Sequence, residues 1–311
     1  MTMSSSETAK DRATRGDEAV QPWDLAEQPT QSRLWHRFRR HRGGMVGLVV
    51  VLVMFFISVA APLLSTHDPL AISKGNQFLP PSPAHFFGTD EFGRDIYTRT
   101  LHAGRISLLA GAVATLTAAA LGVPLGLVSG YAGRGLDAVI MRCIDTLLAF
   151  PALLLALTIV AVLGPGSVNA MIAVAIVGLP GFARLARASI LVQKEMDFVL
   201  AAQAVGATAR RIIFRTVLPN SLAPIIVQLT LAVAFAILVE AALSFLGLGT
   251  QPPDASWGAM LLSGRGHLRR AWWYGFFPGL FITSLILGLN SLADALRDVL
   301  DPTMVNQGNN L

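Results

Sequence analysis

Long unbroken apolar runs, rather than alternation of apolar and polar residues, set the pattern of this chain. A helix crossing the hydrocarbon core of a bilayer needs about 20 mostly apolar residues at 1.5 Å rise each. Six runs reach that length: 45–64, about 106–129, about 137–163, about 168–190, about 222–246 and about 274–296. The first ends in "SVAAP", which offers small residues for cleavage. More than forty residues precede it, however, and the run is long for the apolar part of a leader, so an uncleaved anchor is predicted. Pro124 and Pro151 predict kinks, and the fourth run turns polar after Gly181, predicting a frayed end. Small residues crowd the second run, "LLAGAVATLTAAALGVPLGLVSG", and let helix backbones approach in lipid, where no hydrophobic force drives association. The fold predicted is an all-α membrane protein, a packed bundle of six transmembrane helices without a visible inverted repeat.

The polar stretches divide the rest. Residues 1–32 are poor in large apolar side chains and read as a disordered tail. Residues 33–44 follow as a basic interfacial segment, with Trp35 and Phe38 among Arg33, Arg37, Arg39, Arg40 and Arg42. Nucleic-acid binding is the rival reading of that basic run. Residues 45–311 form the membrane domain. Between the fourth and fifth runs lies "MDFVLAAQAVGATARRIIFRTVLPNS", too charged for lipid and too regular for a plain loop. Asp197 is a candidate N-cap, and Phe198, Ala201, Ala202 and Val205 share one helical face. Gly206 ends this helix and Thr208 caps a second. In the second, Arg210, Arg211 and Arg215 stay near water while Ile212, Ile213 and Phe214 are apolar, and Pro219 marks the turn into the fifth run. Small residues on an exposed helix suit insertion into a partner's groove. A solvated, partly helical linker is the other reading.

Composition agrees with the runs. The 311 residues are 53% hydrophobic and 14% charged, with mean hydropathy +0.57, well outside the soluble range. With the amino terminus placed in the cytoplasm, the inner segments hold fourteen Arg or Lys against seven outside, so both termini are predicted cytoplasmic. The one cysteine, Cys143, lies in an apolar run and excludes an internal disulfide. None of the three lysines, Lys10, Lys74 and Lys194, follows a glycine, so the phosphate-cradling loop G-x-x-x-x-G-K-[ST] is absent. The six histidines show no H-x-x-x-H spacing, and no metal site is expected.

At this point the chain resembles a known family. "LAAQAVGATARRIIFRTVLPN" is similar to the cytoplasmic coupling motif of ABC importer permeases, E-A-A, three residues, G, nine residues, I-x-L-P. Ala201, Ala202, Gly206, Leu218 and Pro219 match it; Leu200 replaces the glutamate and Thr216 the isoleucine. "FGTDEFGRDIYTRTLHAGRISL" at 87–108 resembles the first outer loop of dipeptide and oligopeptide permeases. "EAALSFLGLGTQPPDASWG" at 240–258 resembles the end of their fifth span. The resemblance runs from about residue 33 to the C-terminus and points to the second, smaller permease of the pair.

It implies a non-catalytic subunit of an ATP-driven importer of di- or oligopeptides in the bacterial cytoplasmic membrane. Nickel or glutathione-like solutes are the alternative cargo. The implied partners are ABC ATPase subunits, a second homologous permease in a heterodimer, and an extracytoplasmic substrate-binding protein. The chain itself needs no cofactor; ATP and Mg sit on the ATPase. Coupling falls to helices at about 197–218, through Ala201, Ala202, Gly206, Arg210, Arg211, Leu218 and Pro219. A proton-coupled secondary transporter is the rival class, and it would place several carboxylates at mid-membrane, where only Glu240 stands out.

Other candidates keep two readings each. Glu240, with Ser244 and Trp257 nearby in sequence, is a pathway residue meeting a peptide ammonium or a hydrogen-bonded structural link. Asp90, Gly93, Arg94 and Asp95 fix the loop or contact the binding protein. Asp137, Arg142 and Asp145 form an interfacial ion-pair cluster or a proton relay. Trp257, Trp272, Trp273 and Tyr274 are predicted to form an interfacial aromatic belt.

Overall fold

The structure, a computed structural model, describes residues 31–300; most of the predicted tail and residues 301–311 lie outside the described residues. The chain divides into two units, Met1–Arg37 and Phe38–Leu311. Helix α1, Gln31–Arg40, carries Arg33, Arg37, Arg39 and Arg40, and Arg42 opens the next helix. Helix α2, Arg42–Val59, is capped by His41, whose Nδ1 accepts the Gly44 N–H at 3.0 Å. It stops short of the predicted residue 64 because the chain breaks at Ala60 into a separate turn, Ala61–Leu64, holding Pro62 in its first positions.

Helix α3, Ile96–Ala132, starts ten residues before the apolar run, since Asp95 caps it, and continues through Pro124. The predicted third span is not one kinked helix. Helices α4, Arg134–Leu148, and α5, Ala152–Leu163, meet at 92°. Pro151 lacks the N–H and forces the residue before it away from helical geometry. Helix α6, Ser167–Gln193, does not fray after Gly181. Its arginines are paired instead: Arg187 grips Asp137 through Nε at 2.6 Å and Nη2 at 2.7 Å, and Arg184 meets Asp145 at 2.6 Å. Asp137 and Asp145 thus form inter-helix pairs with α6. Cys143 on α4 is exposed.

A short helix α7, Asp197–Ala204, precedes α8, Leu222–Phe245. Helix α9, Trp257–Arg265, and the long α10, Trp273–Leu300, complete the described chain. The predicted aromatic belt is mostly buried: Trp257, Trp273 and Tyr274 are core residues, and Trp272 alone of the four is exposed.

Helix directions follow from which residues meet. Gly122 of α3 faces Leu179 and Phe182 of α6, Gly126 faces Ala183 and Ala186, and Gly130 faces Ile190 and Arg187, so α3 and α6 run parallel. Helix α8 runs against α3, with Ser107 beside Glu240 and Gly111 at Ile237. Helix α10 runs against α2, with Gly44 at Ala295 and Gly47 at Gly288. Two parallel helices in sequence need a return between them. The α4–α5 pair supplies it, so this bent pair is a crossing and joins the five helices long enough to cross alone. Among the described residues this makes six crossings, with both ends of the bundle on one face.

Among the described residues, three apolar clusters hold the bundle. One, around Trp257, Ile237 and Leu285, lies toward the face carrying residues 65–95. A second joins α5, α6 and α8 through Val160, Val174 and Leu243. The third, on the opposite face, packs Leu127, Ala186 and Ile190 against the segment after α6.

Candidate functional site

The segment between α6 and α8 is a helix–glycine–helix element. Helix α7 begins after an extended Met196; Asp197 is its first residue and makes no side-chain cap bond, contrary to its predicted role. It ends in a left-handed turn at Gly206, φ +78°. There the Gly206 N–H donates to the Gln203 carbonyl at 2.9 Å and the Ala207 N–H to the Ala202 carbonyl at 3.0 Å. These are the paired bonds of a Schellman C-cap. A methyl group on Gly206 would meet nothing within 4 Å, so φ, not space, asks for glycine. Thr208 caps the next turn, its side chain accepting the Arg211 N–H at 3.4 Å. One α-turn, Ala209–Arg211, widens into a π-helical stretch, Ile212–Val217, before Leu218–Asn220.

The burial pattern separates root from tip. Val199, Ile212, Ile213 and Val217 are buried with Leu127, Ala186 and Ile190, and Ala202, Ala207 and Leu218 pack partly against them. Of the predicted face, only Ala202 turns inward. Phe198, Ala201 and Val205 are exposed, Val205 at 84%. Leu200, Ala201, Ala204 and Val205 thus form an apolar tip beside the exposed Arg210 and Arg211, with Pro219 exposed at the far end. The two roots are tied together. Gln193 Nε2 donates to Ser221 Oγ at 2.9 Å, and that hydroxyl donates to the Val217 carbonyl at 2.9 Å. Sequence reasoning missed Gln193 and Ser221, because their pairing joins positions 28 residues apart.

On the opposite face, residues 65–95 form a hydrogen-bonded knot. Buried Asp90 accepts the backbone N–H of Phe92 at 2.8 Å and of Arg94 at 2.9 Å, while Arg94 Nε donates to its Oδ2 at 2.6 Å. Gly93 sits at φ +74° against the Ser73 carbonyl, where a side chain would collide. Asp95 Oδ2 accepts the Thr98 N–H at 2.8 Å, starting α3. Arg99, also buried, donates Nη1 to the Pro69 carbonyl at 2.9 Å. The four predicted loop residues therefore act together on loop structure. The fold also brings His67 and His85 to Asp95, a convergence that local spacing did not reveal.

Glu240 is 3% exposed and lies within the chain's own packing. The Ser244 hydroxyl donates to its Oε1 at 2.7 Å and accepts the Thr250 N–H at 3.1 Å. The hydroxyls of Ser107 and Ser256 stand alongside. Trp257 is anchored over the same region, its Nε1 donating to the Thr100 carbonyl at 2.9 Å and its backbone N–H to Ser107 Oγ at 3.3 Å. Glu240, Ser244 and Trp257 thus link α8, α3 and the loop before α9.

Comparison with known proteins gives concordant results. Residues 122–306 match the family described as "binding-protein-dependent transport system inner membrane component", and residues 31–81 match the "N-terminal TM domain of oligopeptide transport permease C". The chain is 45% identical to the dipeptide transport system permease protein DppC of Alkalihalophilus pseudofirmus, over 92% of this chain and 91% of that one. It is 41% identical to the protein of that name from Haemophilus influenzae, over 91% and 98% of the two chains. The probable D,D-dipeptide transport system permease protein DdpC of Escherichia coli is 45% identical over 82% and 85%. Among solved structures, an inward-facing conformation of the MetNI methionine ABC transporter has a similar fold, with TM-score 0.52 at 16% identity over 62% of this chain and 93% of that chain.

Proposed function

Since the chain belongs to the family of binding-protein-dependent transport system inner membrane components, we propose that it is the membrane permease subunit of an ABC importer of di- or oligopeptides. The peptide cargo is supported by relatives named for dipeptide transport at 41–45% identity. In this reading the chain is non-catalytic. ATP and Mg act on separate ATPase subunits, a second homologous permease completes the pathway, and an extracytoplasmic binding protein delivers the peptide. Both termini and the α7 element face the cytoplasm, and residues 65–95 face outward.

One observation carries the coupling role: the α7 element exposes an apolar tip while its roots are locked into the bundle. Leu200, Ala201, Ala204 and Val205 offer small and apolar surface to a groove. Leu200, where the family motif has glutamate, makes that contact apolar rather than ionic. Below the tip, the Gln193–Ser221 bond and the cluster around Ile212 join α6, α8 and α3 to the element. A displacement imposed on the tip is then carried into three crossing helices together. Only an ATPase that contacts two permease states differently can bias them, and this element presents the surface for such contact.

The test is Gly206→Pro in the assembled transporter. Proline fixes φ near −65° and lacks the N–H that Gly206 donates, so the turn cannot form. The variant is expected to insert into the membrane, while peptide uptake is lost and ATP hydrolysis no longer responds to loaded binding protein. Uptake at the unmodified rate would overturn the coupling role.

A further inference from the structure

The segment before α3 collects three metal-competent groups from positions far apart in sequence. His67, His85 and Asp95 each present one donor atom, and these atoms lie within 4.8 Å of one another. His85 Nδ1 is 3.0 Å from Asp95 Oδ1, and His67 Nδ1 is 4.0 Å from the same oxygen. The two imidazoles stack with centroids 4.8 Å apart and planes at 27°. One histidine suffices to satisfy Asp95 Oδ1 by a hydrogen bond. A second imidazole held at 4.0 Å from that oxygen adds no hydrogen bond, yet the fold places it there.

We propose that His67, His85 and Asp95 bind one divalent ion of the zinc class, with water completing its shell. Two imidazole nitrogens and a carboxylate oxygen suit zinc and its borderline neighbours, and disfavour calcium or magnesium, which take oxygen ligands. The carboxylate is oriented in advance, because Asp95 Oδ2 is held by the Thr98 N–H. Exposure is graded across the three side chains, 1% for Asp95, 13% for His85 and 41% for His67. The first two form the wall and His67 the solvent-side door. Tetrahedral coordination brings donors to about 3.3 Å from one another, so the exposed His67 makes most of the closure. The Thr66 hydroxyl, 2.9 Å from His67 Nδ1, gives up that nitrogen as the ion enters. The ion then ties the 65–85 stretch to the first turn of α3.

The experiment uses the full chain in detergent, purified without a polyhistidine tag and stripped with a chelator. Zn²⁺ is titrated calorimetrically and Co²⁺ serves as a spectroscopic probe. One saturable ion per chain is expected, with a visible ligand-field band for Co²⁺. His67→Ala and His85→Ala should each weaken binding by about tenfold or more. Asp95→Asn, which keeps an oxygen for the helix cap, should also weaken it, and His36→Ala should not. Thermal unfolding of the metal-free variants identifies any that fail to fold, and His67→Ala, at an exposed position, leaves the test intact. No saturable binding, or binding unchanged in His67→Ala, would overturn the proposal and leave a histidine–aspartate hydrogen bond alone.

Discussion

Gly206 and Glu240 show two ways in which one residue constrains this chain. At Gly206 the surroundings are open and only φ, +78°, is restrictive. Substitutions should therefore rank by tolerance of left-handed backbone, not by size. Gly206→Asn is expected to retain more peptide uptake than Gly206→Ala, which carries about 1–2 kcal/mol of local strain, and Gly206→Val should retain least. Initial uptake rates in cells producing equal amounts of each variant check the order. At Glu240 the surroundings are closed and the hydrogen bonds are restrictive. Glu240→Gln keeps an acceptor for the Ser244 hydroxyl, whereas Glu240→Leu removes it from a buried pair. The leucine variant is expected to lose about 1–3 kcal/mol of stability and the glutamine variant much less, read as thermal unfolding midpoints in detergent. If Glu240 instead met substrate, both variants would be stable and both would lose uptake.

At the scale of elements, the parallel seam between α3 and α6 depends on three glycines four residues apart, Gly122, Gly126 and Gly130. In lipid such a seam is held by close backbone packing. Gly126→Val should force the helices apart where the Ala183 carbonyl meets the glycine, destabilising the bundle by about 1–3 kcal/mol. A lower unfolding midpoint of the purified chain would show it; an unchanged midpoint would contradict the seam. Which elements the sequence made legible follows from whether their signals are local. The apolar runs and the helix–glycine–helix spacing are local, and both appear in the structure. The early start of α3 was hidden because Arg99 and Thr100 look like loop residues until the fold buries them, with Arg99 bonded to the Pro69 carbonyl. Pro151 announced a kink, but a 92° break also needs the amphipathic α4 to lie apart from α5. Trp257 and Tyr274 looked interfacial because a tryptophan or tyrosine at a span end carries no mark of what will cover it. The convergence of His67 and His85 on Asp95 is wholly tertiary, so no spacing rule finds it.

For the whole molecule, α3 is the connecting bar. Its 37 residues extend about 55 Å, from the loop knot at Asp95 and Arg99 to the cluster at Leu127 that receives the α7 element. A tilt imposed at one end therefore moves the other, provided the two ends lie on opposite sides of the membrane. The parallel pairing of α3 and α6 requires an odd number of crossings between them, which the bent α4–α5 pair supplies, and arginine-rich loops are expected to set the direction. The arrangement is testable in a Cys143→Ser background with single cysteines at exposed positions. A cysteine replacing Val205, 84% exposed at the tip, should react with a membrane-impermeant thiol reagent only in inside-out vesicles, prepared from cells without the ATPase subunits that would cover the tip. One replacing Ile72, 63% exposed in the opposite loop, should react only in intact spheroplasts. Labelling of both from one side would break the bar's geometry, and labelling of position 205 from outside would place the α7 element where no ATPase can reach it.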